Sequence, residues 1–236
     1  MRKYLIAFLL SLSCACAIAA TACGESDPTS TPPDSSDPVI VDPVYKGKRK
    51  VTFEEGEGFS YVSNVVSGTD VEAGTYVKFS IDLGAFYTES NPTVYVNNAP
   101  VAHDGEGNYS ILVKDEDLTI RVENIRRDDP ELYGTGTMDD PFLIYKAADL
   151  VYMADQINAG KQSYVQGAYV LMNDIDCKGE ELKVIGDLST ENSFFSGCFS
   201  CYIDENGQRT RYTISNFKIN SQNANYVGLF GAVQTD

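Results

Sequence analysis

The groups in this 236-residue chain that could do chemistry are six cysteines, a single histidine and several paired carboxylates. Cys198-Phe199-Ser200-Cys201 has the two-residue spacing of redox and zinc motifs. A redox pair needs its thiolate stabilised at a strand-to-helix junction, and a zinc site needs a second pair or a nearby histidine. Neither accompanies this motif, so the thiols read as structural. Strand alternation turns Cys177 and Cys201 inward with Ile175 and Phe199, which makes them the favoured disulfide pair; Cys198 is the alternative partner, and buried free thiols are the competing outcome. Asp174 and Asp176 fall on one face of a strand about 7 Å apart, a spacing open to calcium, although a solvated acidic surface is the commoner use of such a pair. His103 has no serine or cysteine in a nucleophile elbow and no His-Glu helix motif beside it. No catalytic residue and no cofactor is expected, and the chain reads as non-enzymatic.

Aromatic residues offer a different chemistry. The chain has 15 tyrosines and no tryptophan. Tyr152, Tyr164, Tyr202, Tyr212 and Tyr226 lie in its second half, where a tyrosine face can stack on a sugar ring; core or rim packing is the alternative. With 18 Lys+Arg against 34 Asp+Glu the formal net charge is −16. Such a chain repels phosphate backbones, so nucleic-acid binding is excluded. Lys178, Lys183, Arg209, Arg211 and Lys218 are scattered among acids, whereas cleavage of acidic polysaccharides needs clustered cations beside a base.

The N-terminus carries an export signal. Arg2 and Lys3 form a charged start, Tyr4 to Leu12 is apolar, and Ala20-Thr21-Ala22 places small residues before Cys23. This stretch resembles a bacterial lipoprotein signal, with Ala20 where leucine is usual. The resemblance implies a signal peptide over 1–22, lipidation of Cys23, and an exported protein held through its N-terminal lipid on the cell membrane or outer membrane, facing outward. An uncleaved anchor is the alternative, and both tether the chain. Residues 23–44 are rich in Pro, Ser and Asp and too polar to offset the entropy of ordering, so they read as a disordered spacer.

Two bodies follow. From 45 to 127 apolar residues recur with period two at Val51-Thr52-Phe53, Tyr76 to Leu83, Thr93 to Val96, Tyr109 to Val113 and Leu118 to Val122. Turn residues separate the runs, notably Asn97-Asn98 and Asp104-Gly105-Glu106-Gly107-Asn108. This pattern predicts a small antiparallel β-sandwich. With Glu72-Ala73-Gly74-Thr75-Tyr76-Val77 and Glu106-Gly107-Asn108-Tyr109, the stretch resembles the Ig-like modules of bacterial surface proteins.

In residues 134–236 the grammar changes. Phe142-Leu143-Ile144 ends a short strand, and Ala147 to Asn158 reads as a helix with Leu150, Met153, Ala154 and Ile157 on one face and Gly160 as its stop. Short apolar runs broken by Gly, Asn and Asp come after it. Gly134-Thr135-Gly136-Thr137 with Asp140-Pro141-Phe142, Ala148-Asp149-Leu150, Asn173-Asp174-Ile175-Asp176, Ile185-Gly186, Phe195-Ser196-Gly197, Ile214-Ser215-Asn216-Phe217 and Gly228-Leu229-Phe230-Gly231 stand in that order. These phrases resemble the GLUG-motif β-helix family of bacterial surface proteins. The resemblance implies a mainly β fold in which the sandwich is followed by a short right-handed parallel β-helix with one capping α-helix. No cap is visible at the far end, for which a truncated frame is the leading explanation, with a covering partner or a small coil number as the others. The expected function is adhesion or binding of an unknown protein or glycan ligand; the alternatives are a carbohydrate-binding lipoprotein of a polysaccharide-use system, or the N-terminal part of a surface enzyme.

Overall fold

The computed structural model describes residues 44–188, 190, 192–219 and 227–234. Its first half holds β1 (Lys48–Phe53), β2 (Phe59–Ser63), β3 (Thr69–Glu72), β4 (Tyr76–Leu83), β5 (Thr93–Val96), β6 (Ala99–Val101), β7 (Asn108–Leu112) and β8 (Leu118–Glu123). Period-two alternation places Val51 and Phe53, Val77 and Phe79, Val94 and Val96, and Leu118 and Ile120 on inward faces, where they form one apolar core with Tyr109 and Val113. Two sheets share that core: one ordered β3-β1-β8-β5-β6, the other β2-β4-β7. Phe53 of the first sheet meets Phe79 of the second edge-on at 5.4 Å.

The sheets are antiparallel except at one place. β1 and β8 run parallel, with Val51 opposite Leu118 and Phe53 opposite Ile120. The expectation of a wholly antiparallel sandwich is corrected there. These two strands are the first and last of the module, so no tight turn joins them and nothing forces them to run in opposite directions. The Asn97-Asn98 hairpin is as the sequence suggests: both residues take positive φ, 48° and 67°, and Val96 faces Ala99 across a two-residue turn. β2, β3 and β6 are additions. β6 carries Pro100, which an edge position tolerates.

The second half contains β9 (Phe142–Ile144), α1 (Ala147–Asn158), α2 (Gln162–Val165), β10 (Ala168–Leu171), β11 (Ile175–Asp176), β12 (Glu181–Leu182), β13 (Cys198–Ile203), β14 (Arg209–Thr210), β15 (Ile214–Ser215) and β16 (Lys218–Ile219). The molecule is mainly β. Here nearly every pairing is parallel. Phe142 lies beside Tyr169 and Tyr169 beside Phe199; Ile175 pairs with Ile214, Leu182 with Ile219, and single bridges join Ile185 to Phe230 and Phe195 to Val233. Among the described residues two pairings are antiparallel, that of β14 with β13 and the single bridge of Tyr133 to Leu143. Among the described residues β15 and β16 each pair on one side only. The helix spans the residues the periodicity predicts, burying Leu150, Met153, Ala154 and Ile157. The run expected from Tyr169 to Asp176 is broken into β10 and β11, and that from Tyr212 to Ile219 into β15 and β16 with Asn216 at φ 54° between them.

The halves are joined by side chains as well as by the chain. Ala85 and Phe86, in the loop after β4, are buried in the second core with Ala148 and Leu150. Asp128, 3 % exposed, accepts hydrogen bonds from the Thr88 N–H and hydroxyl and the Glu89 N–H at 2.7–3.1 Å, and its own N–H donates to the Phe86 carbonyl. Removing the acceptor strands two backbone donors, each costing about 1–3 kcal/mol. Asp128→Ala should therefore lower unfolding stability by about 2–4 kcal/mol, measured by urea titration; a change no larger than that of an exposed Asp→Ala control would refute the clamp.

Candidate binding site

Two tyrosines stand at the mouth of a slot where the halves meet. An antiparallel bridge sets Tyr133 opposite Leu143 of β9, and Tyr145 follows β9 on the same outward-facing side as Leu143. That register brings their rings to 6.3 Å, nearly perpendicular at 88°. Gly134 makes the approach feasible: its φ is +96°, and a Cβ there would sit 2.1 Å from the Pro141 carbonyl oxygen. Both rings remain open to solvent, Tyr133 at 53 % and Tyr145 at 37 %.

Glu89, Glu131, Lys146 and Asp149 complete a slot of about 300 Å³. Each charge has a partner. Lys146 Nζ lies 2.6 Å from Glu89 Oε1. Burial acts to lower the lysine's pKa, but the Glu89 hydrogen bond and charge, helped by Asp149 and Asp128, outweigh it and leave the pKa raised. The Tyr133 phenol pKa is also raised, first by its hydrogen bond to the Glu131 carboxylate. Asp149 is wholly buried as the third residue of α1. Its Oδ1 accepts from the Glu131 N–H at 3.0 Å, and its Oδ2 from the Tyr145 and Lys146 N–H groups at 3.0 and 3.2 Å. One carboxylate thus caps the helix and pins both walls of the slot. Burial pushes its pKa up, against the pull of those three donors.

The residues expected from the sequence are distributed elsewhere. Tyr164 stacks on Phe142 at 5.0 Å and packs against the second core, and it meets Tyr152 edge-on at 6.2 Å. Tyr212 is half-buried against the same core; Tyr202 is exposed on β13, and neither makes a ring contact among the described residues. Tyr226 lies outside the described residues, as does Cys23. Asp174 accepts from the Thr213 N–H at 2.6 Å, and Asp176 from the Lys178 N–H and Asn216 Nδ2, both at 2.9 Å. The two carboxylates stitch β11 to the segment carrying β15, and among the described residues no group of three metal-ligating side chains converges on them. The Lys178 N–H, and after it Asn216, holds the Asp176 carboxyl below its ordinary pKa.

Cys177, Cys198 and Cys201 are free thiols. The expected Cys177–Cys201 bridge is not formed, because Cys177 follows β11 into the core whereas Cys201 sits on β13, in a different sheet. His103 is exposed in a groove of about 660 Å³ on the sandwich, against its neighbour's carbonyl and beside Tyr109. Sequence reasoning missed Tyr133, Tyr145, Glu89 and Lys146. Alternation along Phe142-Leu143-Ile144-Tyr145 was the one available signal, since it turns Tyr145 outward.

Two outcomes test this description. Asp149→Ala strands three donors and should cost about 3 kcal/mol or more; urea unfolding that shows less than 1 kcal/mol would overturn its role. Burial pushes the Cys177 thiol up to about 11, so it stays protonated at pH 8 and should resist iodoacetamide while the exposed Cys198 is alkylated. Peptide mass spectrometry reads both, and labelling of Cys177 in denaturant provides the control. Compared with protein-family profiles, with curated proteins and with solved structures, the chain matches none.

Proposed function

We propose that this protein is a non-enzymatic, lipid-anchored surface protein that binds a ligand or partner in adhesion, and that the Tyr133–Tyr145 slot is its docking point. The observation that carries the reading is the slot itself: two exposed aromatic faces over a rigid floor, with Lys146, Glu131 and Asp149 each already engaged by a neighbour. Recognition suits such a site better than acid–base catalysis, which needs a titratable group free to exchange a proton.

The fold reading fits an outward-facing scaffold. The first half is taken as an Ig-like module and the second as the opening coils of a GLUG-type right-handed parallel β-helix, with α1 as the cap. Support comes from the parallel pairings, in which β10 lies beside β9, β13 beside β10, β15 beside β11 and β16 beside β12. The β9-α1-β10 crossover between adjacent parallel strands is right-handed in nearly all proteins. Anchoring rests on the Cys23 signal, and two acyl chains give the double attachment that stable membrane residence needs.

The anchor and the binding are tested separately. Full-length protein expressed in a bacterial host should take up labelled palmitate and partition into detergent, and Cys23→Ala should abolish both. Cells displaying the wild-type chain should adhere to a glycan- or protein-coated surface at least several-fold more than cells displaying Tyr133→Ala/Tyr145→Ala at equal surface level. Equal adhesion by the two would remove the slot from the function.

A further inference from the structure

The slot's chemistry is more specific than general stickiness, and it selects a ligand class. Two carboxylates, Glu89 and Glu131, face an incoming group with the buried Asp149 behind them, so an anionic ligand meets repulsion. A cation meets Lys146, whose side chain is only 14 % exposed and whose ammonium already occupies the Glu89 carboxylate. An aromatic cage for quaternary ammonium needs ring faces closing on a charge with no fixed cation among them. What remains is a neutral ligand that offers hydroxyls along one edge and C–H groups on a face.

We infer that the Tyr133–Tyr145 slot binds one ring of a neutral carbohydrate. The inference rests on the reading of this slot as the ligand site, and it adds the class of ligand. Two rings set perpendicular at 6.3 Å give a sugar a tyrosine face to lie on and a second ring against its edge. Each carboxylate has about four acceptor positions, of which Glu89 spends one on Lys146 and Glu131 one on Tyr133, so vicinal hydroxyls have acceptors on both sides. The Lys146 ammonium has donors beyond the one directed at Glu89 and can give them to a ring or hydroxyl oxygen. At about 300 Å³ the slot has room for one ring, and its exposed tyrosines leave the mouth open for the rest of a chain. The buried Asp149 holds the Glu131, Tyr145 and Lys146 backbone in place before any ligand arrives, so little ordering entropy is lost on binding.

The test uses the full-length protein in detergent on an array of neutral, uronic-acid and sialylated glycans, with tetramethylammonium and acetate as small competitors. Neutral glycans should be retained, and Tyr133→Ala, Tyr145→Ala and Glu131→Gln should each weaken retention at least tenfold. Tyr76→Ala, at an exposed tyrosine of β4 outside the slot, should bind like the wild type and serves as the control, and urea unfolding of the slot variants checks that they fold. Retention of acidic glycans alone, displacement by tetramethylammonium, unchanged binding in the alanine variants, or no neutral glycan retained would each overturn the inference. Slot-dependent cell adhesion without glycan binding sinks the sugar and leaves the adhesion reading standing; glycan binding without slot-dependent adhesion does the reverse.

Discussion

Buried backbone donors must find acceptors, and at the junction of this molecule two buried aspartates supply them. Asp128 takes the Thr88 and Glu89 N–H groups; Asp149 takes those of Glu131, Tyr145 and Lys146. Each donor lies in a loop or at a helix start, where no ladder or intrahelical bond is available. The geometry of the junction follows from those bonds. Glu89 is held where it meets Lys146, Tyr133 and Tyr145 are held on facing segments, and Ala85 with Phe86 is held in the second core. A buried charge is costly unless it is hydrogen-bonded, and these two carboxylates are bonded with nearly full valence.

Beyond the junction the two halves solve the same problem of sheet burial differently. In the first, two sheets face each other and close one core between them, so that burial is complete within eight strands. In the second, β10 lies parallel beside β9 and β13 beside β10, β15 pairs with β11 and β16 with β12, and this pile of short segments shares one apolar core. Segments of two to four residues would be unstable alone; neighbours supply their hydrogen bonds and their apolar contacts together. Phe142, Tyr169, Phe195 and Phe230 form a continuous file of ring contacts at 5.3–5.9 Å through that pile. Carboxylates at Asp174 and Asp176 repeat the junction's solution on a smaller scale by bridging one layer to the next.

The acidic balance of the chain shapes what can approach it more than how it folds. A net charge of −16 keeps polyanions away at long range, while exposed ion pairs such as Lys48–Glu72 add little to stability. The slot shares that acidity: Glu89 and Glu131, with the buried Asp149 behind them, outnumber its single lysine, which is paired with Glu89.

Much was legible without coordinates. Period-two runs located β1, β4, β5, β7 and β8, and a 3.6-residue apolar stripe located α1 from Ala147 to Asn158, because burial on one face imposes that spacing on any sequence. Strands with a single inward residue, such as β3 with Val71, carry no such imprint and were invisible. The parallel β1–β8 pair was likewise hidden, since alternation says which face is buried and nothing about which strand lies alongside. Strand alternation suggested a Cys177–Cys201 bridge that the separation of β11 from β13 into different sheets does not form. Of the tyrosines chosen by their position in the second half, Tyr164 and Tyr212 pack against the core, whereas Tyr133 and Tyr145 meet only because an antiparallel bridge and a left-handed glycine turn one against the other. Composition and periodicity alone determined the class of structure and the charge of its surface, both of which are sums over residues. Which side chains share a site was decided by long-range register and by two buried aspartates, because contact between distant residues is a property of packing that no local pattern records.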